Sequence, residues 1–549
     1  MITVGLYGIA DPAPGPRPNF THDHGIALVR DGRVITVVQL ERYTGLKYDN
    51  RLPDYICELL SRYLPAGEPV RFASVNSFAG STFASRDGNL RIEPEEHVEV
   101  SDALAPAQVR WRPDGVSRRH ADGWVVCHEL AHLASLLPFV GRFEPGSLLA
   151  HIDGGASESA CSFWTTDGER LRLLESSWPR LKTPVNNFNA SPLVRAILGL
   201  SPADHLAMPG KLMGYAGHGA PDGATTRWLA DHGWFSEYEG REAAILDAVN
   251  HHFGTRYGHF DLRLREFKTI AACIQASFEE EVTSAIAEAQ RRTGAHTLYL
   301  AGGAALNIPT NARLERLFEQ VHVPPCTNDS GLALGAAAWV EYLDRHELPI
   351  HGPFLNTFDV PTEPPTSADV ARAARLLADG KIIGVCTGAA EIGPRALGHR
   401  SLLARADSAP LRRRLSEVIK RREWYRPVAP VLCEESAREL LGEDVVRSPL
   451  SRYMLGAYPV RPGSKAPLSG VLHEDGTVRP QVVRADDEDN HLLHDLLSML
   501  LHDHGVAALV NTSFNGAGRP IVHRRDEAAA TARAMKLDAL MVDGSLHRP

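Results

Sequence analysis

Gly25-Ile26-Ala27-Leu28-Val29-Arg30-Asp31-Gly32-Arg33-Val34-Ile35-Thr36-Val37-Val38 sets two β-rich arms on either side of an Asp-Gly pair. A type I′ turn needs φ > 0 at both central residues, which Asp and Gly accept, so the stretch predicts a β-hairpin. A β-rich run over residues 2–9 precedes it, separated by a Pro/Gly-rich loop that carries Thr21-His22-Asp23-His24. The plan recurs near residue 148. There a strand Leu148–Ile152 leads through Asp153-Gly154-Gly155 to a second hairpin, with arms Ala160–Thr165 and Glu169–Leu174 around Asp167-Gly168. Strand, polar loop and hairpin, met twice and each time followed by helical segments, predict two lobes of one duplicated α/β fold with a cleft between them.

A third strand–turn–helix unit reads Thr297-Leu298-Tyr299-Leu300-Ala301-Gly302-Gly303, with a helix expected near Thr310–Phe318. A double glycine before a helix N-terminus serves either as a tight turn or as a phosphate cradle. Residues 347–366 are rich in Pro and Thr. The expected division is therefore 1–350 in two lobes (about 1–145 and 146–350), a linker over 351–366, and another α/β unit over 367–549. Its strands are expected at Lys381–Cys386, Val506–Asn511 and Leu537–Val542.

With 549 residues, 44% hydrophobic and 23% charged, the chain has the balance of an ordinary globular protein large enough for several cores. A formal charge of −9 argues against general polyanion binding, so any phosphate site must come from locally clustered cations. Seven scattered cysteines without a CxxC pair point to a reducing compartment. The N-terminus lacks the pattern of a signal peptide, and no apolar run is long enough for a spanning helix; a cytoplasmic protein is expected.

His128-Glu129-Leu130-Ala131-His132 matches a zinc-peptidase pattern, and histidines four apart share one helix face. The extended pattern would put glycine at Ser135 and histidine at Pro138, so the peptidase reading fails. Two readings remain: a metal site, or buried histidines bonded to carbonyls. Asp153, at a strand end, and Asp329, in Cys326-Thr327-Asn328-Asp329-Ser330-Gly331, could complete a nitrogen/oxygen set. Spacing alone gives Asp329 the duty of capping the following helix.

Ten cations against three acids lie between Arg395 and Arg426. Leu411, Leu415 and Ile419 mark a helix face, Ser408 its N-cap, and Arg412–Arg414 a solvated side. Arg395 differs, because Gly393-Pro394 stiffens the backbone that carries it, which suits bidentate recognition of an oxyanion. Lys211 follows Gly210 but precedes Leu212, so there is no Walker A loop.

These motifs, with Gly210-Lys211-Leu212-Met213-Gly214, Leu300-Ala301-Gly302-Gly303-x2-Leu306-Asn307, Gly393-Pro394-Arg395-Ala396-Leu397-Gly398, Lys420-x2-Glu423-x2-Arg426-Pro427 and Asn511-Thr512-Ser513-Phe514-Asn515, run in order along nearly the whole chain. Together they resemble the antibiotic and nodulation O-carbamoyltransferases, the group containing the tobramycin, cephamycin and ansamycin carbamoyltransferases. The resemblance implies an N-terminal Kae1-like part of the duplicated actin/Hsp70-type (ribonuclease H-like) fold and a C-terminal YrdC-like part. It implies that carbamoyl phosphate and ATP give carbamoyl adenylate, whose carbamoyl group passes to a hydroxyl of a small natural product.

By the same resemblance His128, His132, Asp153 and Asp329 match the family's iron ligands, a set that also suits Mn or Zn. His22, Lys420, Arg479 and Ser513 match functional positions, with His22 a candidate base. Arg395, Lys420, Arg422, Arg426, Asn511 and Ser513 would hold carbamoyl phosphate. Asp153, Gly154, Lys211, Gly302, Gly303 and Asn307 would face ATP and its Mg. The expected partners are therefore carbamoyl phosphate, ATP and a hydroxylated acceptor, with no nucleic acid and no membrane; a homodimer is compatible with this. Three departures stand out: the extension Asp11–Phe20, the segment Gly388-Ala389-Ala390-Glu391-Ile392 without the usual Arg-Met pair, and Glu158 displaced from the Asp153 loop. A threonylcarbamoyl-type tRNA-modifying enzyme is the alternative function, and a non-catalytic Hsp70-like nucleotide sensor a third.

Overall fold

The computed structural model describes residues 1–8, 21–76, 85–93, 98–112, 119–155, 158–361 and 363–549; the extension Asp11–Phe20 lies outside the described residues. Three sheets organise a mixed α/β chain. The first contains β1 (Ile2–Tyr7), β2 (Gly25–Arg30), β3 (Arg33–Gln39), β4 (Val70–Val75), β5 (Leu90–Glu93), β6 (Leu104–Trp111) and β7 (Arg119–Val126), in the order β3-β2-β1-β4-β7-β6-β5. The second contains β8 (Leu148–Ile152), β9 (Cys161–Thr166), β10 (Leu171–Ser177), β11 (Thr297–Ala301) and β12 (Gln320–His322), in the order β10-β9-β8-β11-β12.

The two sheets repeat one pattern. In each, a first strand pairs antiparallel with the second and the second with the third. In each, the first strand also pairs parallel with a later one, and that with another: β1–β4–β7 and β8–β11–β12. The β5–β6 hairpin on β7 is the first sheet's addition.

The first Asp-Gly turn forms as expected, with Arg30 opposite Arg33, Asp31 at φ 52° and Gly32 at φ 79°. The second is wider. The carboxylate of Asp167 accepts from the Glu169 amide (2.9 Å) and the Arg170 amide (2.8 Å), and the arms close only at Thr166 opposite Leu171. This side-chain cap moves the arms from the expected Ala160–Thr165 and Glu169–Leu174 to Cys161–Thr166 and Leu171–Ser177. The helix expected near Thr310–Phe318 runs instead over Ile308–Leu314, because Asn307 caps it by accepting from the Thr310 amide.

The third sheet contains β13 (Ile383–Cys386), β14 (Arg400–Arg405), β15 (Ala429–Cys433), β18 (Gln481–Val483), β19 (Leu509–Ser513), β20 (Ala539–Val542) and β21 (Ser545–His547). Its order is β18-β15-β19-β14-β13-β20-β21, and β16 (Tyr458–Pro459) with β17 (Thr477–Val478) forms a small separate pair. β19 starts three residues later than expected. Val506 is still bonded to Leu500, closing the helix His491–His504 through Gly505 at φ 64°. The Pro-rich segment is docked on both sides: Val37 donates to the Leu355 carbonyl (2.8 Å), and Asn356 bridges to Ala390.

Among the described residues no helix is long and apolar enough to cross a membrane. The seven cysteines are free thiols.

Candidate active site

The helix His128–Ala134 starts after Cys127, whose Sγ accepts from the Leu130 amide, and its one-turn spacing aims both histidines the same way. Their Nε2 atoms lie 3.0 Å apart. Nε2 of His132 is 3.7 Å from Asp153 Oδ2 and 3.5 Å from Asp329 Oδ1, and Nε2 of His128 is 4.0 Å from Asp329 Oδ1. Two donors each about 2.1 Å from a shared ion lie about 3.0 Å apart at a right angle and about 3.4 Å apart at the tetrahedral angle; the ligand atoms of His128, His132 and Asp329 lie within 4.8 Å of one another, and Asp153 approaches this triad through His132. All four are buried, and none contributes a thiolate.

This geometry departs from the reading of histidines bonded to carbonyls. Neither Nδ1, of His128 or of His132, has a hydrogen-bond partner among the described residues, and both Nε2 atoms turn to each other and to carboxylates rather than to carbonyls. The capping duty expected for Asp329 is also overturned. It opens a short 3₁₀ turn, Asp329–Gly331, without capping it, and its Oδ2 instead accepts from the Tyr7 hydroxyl at 2.7 Å. Glu129 points elsewhere: its carboxylate accepts from the amides of Glu158 (2.8 Å) and Ser159 (3.0 Å), so it is spent on holding that turn. Glu158 in turn accepts from the Val100 amide at 3.0 Å.

Burial works against charge on Asp329, but His22, His132 and His128 outweigh it and hold the carboxyl well below the usual range. Burial, then Asp329, pushes Asp153 up. Burial, then His132, lowers His128 to about 3, which leaves it a neutral imidazole. His22 stands at the edge of the cluster, 20% exposed, with Nδ1 3.1 Å from Asp23 Oδ2 and Nε2 3.8 Å from Asp329 Oδ2. Burial opposes its protonation, yet Asp329 and Asp23 prevail and raise its pKa to about 9. The near-neutral value that suits a base therefore does not hold beside bare carboxylates.

A second cluster lies in the C-terminal part. The helix Ala409–Arg413, capped by Ser408, passes into a π-helical turn, Arg414–Ile419, and the chain then reverses with Arg421 at φ 51°. That strained turn presents Lys420 and Arg422 toward β19. Lys420 donates to the Ser513 carbonyl, to Ser513 Oγ (3.0 Å) and to Asn515 Oδ1 (2.7 Å), while Arg422 reaches Ser513 Oγ at 3.3 Å. Arg395, Arg426 and Arg479 crowd the same place. Burial, then Arg422, Arg426 and Lys47, pushes Lys420 well below the usual amine range. Burial with Arg426 lowers Arg422 to about 9 and Arg395 to about 10, and burial with Arg395 depresses Arg479 strongly. Nε of both Arg395 and Arg479 is buried with no partner among the described residues. Cations that repel one another around unpartnered donors would suit a compact dianion.

Arg395 owes its place to a stiff loop. Glu391 accepts from the amides of Leu397 (2.6 Å) and Arg400 (3.2 Å), and the fully buried Arg400 donates to the carbonyls of Thr387 and Gly388. Asn511 donates to the Ala396 carbonyl (3.2 Å) and to Gln481 (2.7 Å), so it supports this loop from below. Gly393 sits at φ 92°, and a Cβ there would stand 2.2 Å from the Pro325 carbonyl oxygen. The cationic loop thus rests on the segment that leads to Asp329, and the two clusters adjoin. Lys47, with Nζ 4.7 Å above the Tyr48 ring, and Tyr48, 6.3 Å from His22 ring to ring, lie between them.

The residues expected at a nucleotide are dispersed in their bonding. Gly154 and Gly303 donate their amides to Asp153, at 2.6 and 2.5 Å. Asn307 is engaged as a helix cap and with Gln275, and Lys211 pairs with Glu423 at 2.7 Å, beside the basic turn. Sequence reasoning missed Tyr7, Lys47, Tyr48, Asn515 and His151. Only His151 carried a signal, being two residues before Asp153, which directly follows β8 and continues its pairing by donating to the Ala160 carbonyl at 3.1 Å.

Two family models match the chain: the carbamoyltransferase N-terminus over residues 125–338 and the carbamoyltransferase C-terminus over residues 374–548. Nodulation protein NolNO of Sinorhizobium fredii is 29% identical across 96% of this chain and 79% of its own length. The 3'-hydroxymethylcephem-O-carbamoyltransferase of Streptomyces clavuligerus is 33% identical across 57% of this chain and 58% of its own. Its namesake from Amycolatopsis lactamdurans is 37% identical across 45% and 47%. Likeness to solved structures is slight: HypF in a phosphate- and nucleotide-bound form aligns at 17% identity and a TM-score of 0.24, over 34% of this chain and 22% of that one.

Proposed function

Since the chain belongs to the carbamoyltransferase family and is an enzyme that transfers carbamoyl groups, we propose that it is an ATP-dependent O-carbamoyltransferase acting on a hydroxyl of a small natural product. Carbamoyl phosphate and ATP form carbamoyl adenylate. Atom balance requires phosphate and pyrophosphate to leave and one water to be consumed; AMP leaves when the acceptor oxygen bonds to the carbamoyl carbon. The division is 1–350, in two actin/Hsp70-type lobes forming a Kae1-like transfer part, and 367–549, a YrdC-like part that forms the adenylate, joined by 351–366. A cytoplasmic place suits an enzyme that consumes ATP.

The observation that carries this reading is the adjacency of the two clusters: Gly393, at the head of the loop bearing Arg395, packs on Pro325, just before Asp329. Arg395, Arg422, Arg426 and Arg479 neutralise the phosphate of carbamoyl phosphate, and Lys420 with Ser513 binds its oxygens. Asn511 holds the Arg395 loop in register from beneath. His128, His132, Asp153 and Asp329 would hold Fe(II), Mn(II) or Zn(II), which when bound supplies Lewis-acid polarisation and neutralises phosphate charge. The Gly154, Gly302, Gly303, Lys211 and Asn307 region would face ATP and its Mg. His22, with Nδ1 3.1 Å from Asp23 and Nε2 3.8 Å from Asp329, would take the acceptor's hydroxyl proton; a cation held by Asp329 would weaken that carboxylate's hold on the imidazolium.

The short path between the clusters fits an activated carbamoyl group that must not meet bulk water. Carbamoyl phosphate-dependent release of pyrophosphate from ATP tests the first reaction. Mass spectrometry of a hydroxylated metabolite library, for products heavier by one carbamoyl group in place of hydrogen, tests the second. No pyrophosphate release with carbamoyl phosphate present would overturn the reading.

A further inference from the structure

We propose that Gln39 and Arg42 are positioning residues for carbamoyl phosphate binding, clamping Gly393 by its amide and its carbonyl and so setting the Arg395 guanidinium. The proposal rests on the reading that Arg395 receives carbamoyl phosphate. Gln39 ends β3, and Arg42 lies in the short helix Leu40–Thr44 that follows. Three positions apart across one helical turn, the two side chains share a face. Gln39 Oε1 accepts from the Gly393 amide at 3.3 Å, and Arg42 Nη2 donates to the Gly393 carbonyl at 3.3 Å. One residue, some 350 positions away, is thereby held at both of its polar backbone atoms.

The grip is buried: Arg42 is 1% exposed and Gln39 3%. A bond lost in such a place is not replaced by one to bulk water. Gln39 is itself locked, since its Oε1 also accepts from Asn356 (2.9 Å) and its own amide donates to Asn356 Oδ1 (3.4 Å). Glu41, with Oε1 3.7 Å from Arg42 Nε, and Glu391 offset the burial of the guanidinium charge. From Gly393 the constraint passes along the chain. Pro394 has a fixed φ, so the orientation of the Gly393 carbonyl leaves Arg395 little freedom. Beyond Arg395, the Ala396 carbonyl is held by Asn511 at 3.2 Å. Arg395 thus stands between two held points, and the first of them is set by the sheet that also leads to His22 and Asp23.

Binding of inorganic phosphate to the full chain, followed by calorimetry, tests the coupling. Arg395→Ala should weaken it by about 10–100-fold. Arg42→Met keeps the apolar stem and removes the donor. It should weaken phosphate binding by about 5–10-fold where Arg395 is present, and by less than about twofold once Arg395→Ala has been made. In turnover, Arg42→Met should raise the KM for carbamoyl phosphate and leave that for ATP, a split that general damage to the fold would not give. Gln39→Ala, which releases the amide instead of the carbonyl, gives the same pattern should Arg42→Met fold poorly. Unchanged phosphate affinity in Arg395→Ala overturns the Arg395 reading, and this proposal with it. A weakened Arg395→Ala beside unaffected Arg42→Met and Gln39→Ala variants overturns the proposal alone. So does an Arg42→Met effect of equal size with and without Arg395, or an equal rise in both KM values.

Discussion

Gly335 presses against the carbonyl of Ala131: a Cβ at 335 would stand 1.8 Å from that oxygen. The contact joins the helix Leu332–Arg345 to the helix His128–Ala134. One carries Asp329 just ahead of its first turn, and the other carries both histidines. Residues some 200 positions apart in sequence meet at 3.5 Å because two helices touch without a side chain between them.

Gly335→Ala should therefore act on the proposed metal site although it touches none of the proposed ligands. The added methyl forces the helices apart at a cost of about 1–3 kcal/mol, seen as a lower Tm, and it separates Asp329 from His132. Co(II) titration should show weakened uptake in the folded variant; unchanged affinity would mean that the helix contact does not set the site.

Local features were legible in the sequence because local physics fixes them. Asp31-Gly32 forces a turn wherever it occurs between strands, and His128 and His132 share a face on any helix. Asp329 was not legible in this way. Spacing gave it a capping duty that the structure withholds, since the choice between cap and cluster depends on Tyr7 and His132, both far along the chain. The π-helical turn before Lys420 also left no mark in a pattern of leucines that an α-helix satisfies equally well, and the Asp167 cap that widened the second hairpin depends on side-chain bonds that periodicity does not register.

Lys420 binds Ser513 and Asn515 directly, so its loss should be felt in the first reaction. Lys420→Ala is expected to lower carbamoyl phosphate-dependent pyrophosphate release by about 10²–10³-fold. Lys420→Arg keeps the charge but cannot reproduce a point donor in that space, and should recover little. Activity near the unsubstituted level in either variant would remove Lys420 from the site.

Proton linkage offers an independent reading of the same cluster. Burial, with Arg422, Arg426 and Lys47, depresses the Lys420 pKa in the free protein. A bound phosphate dianion favours the charged amine and raises that pKa, so the complex holds more protons than the free protein. Affinity for inorganic phosphate or carbamoyl phosphate should then be full below the depressed pKa of the free state and fall as pH rises toward that of the complex. Calorimetric titrations in two buffers of unequal ionisation enthalpy should report net proton uptake per ligand bound, after correction for the phosphate's own titration. Zero or negative uptake would show that Lys420 does not change its charge state on binding.

His22 separates the two reactions. It faces Asp23 and Asp329, whereas Lys420 and Arg422, the cations proposed to receive carbamoyl phosphate, bond to Ser513. His22→Asn preserves a hydrogen bond to Asp23 but cannot take a proton, so the acceptor hydroxyl loses its base. Pyrophosphate release should continue, while transfer to the acceptor falls by about 10²–10⁴-fold. Quenched samples should then contain carbamoyl adenylate or its hydrolysis products in place of carbamoylated acceptor. If both reactions fell together, His22 would be anchoring a substrate that the first reaction also needs. If neither fell, the base would lie elsewhere, with the Tyr7 hydroxyl, 2.7 Å from Asp329, next to be substituted.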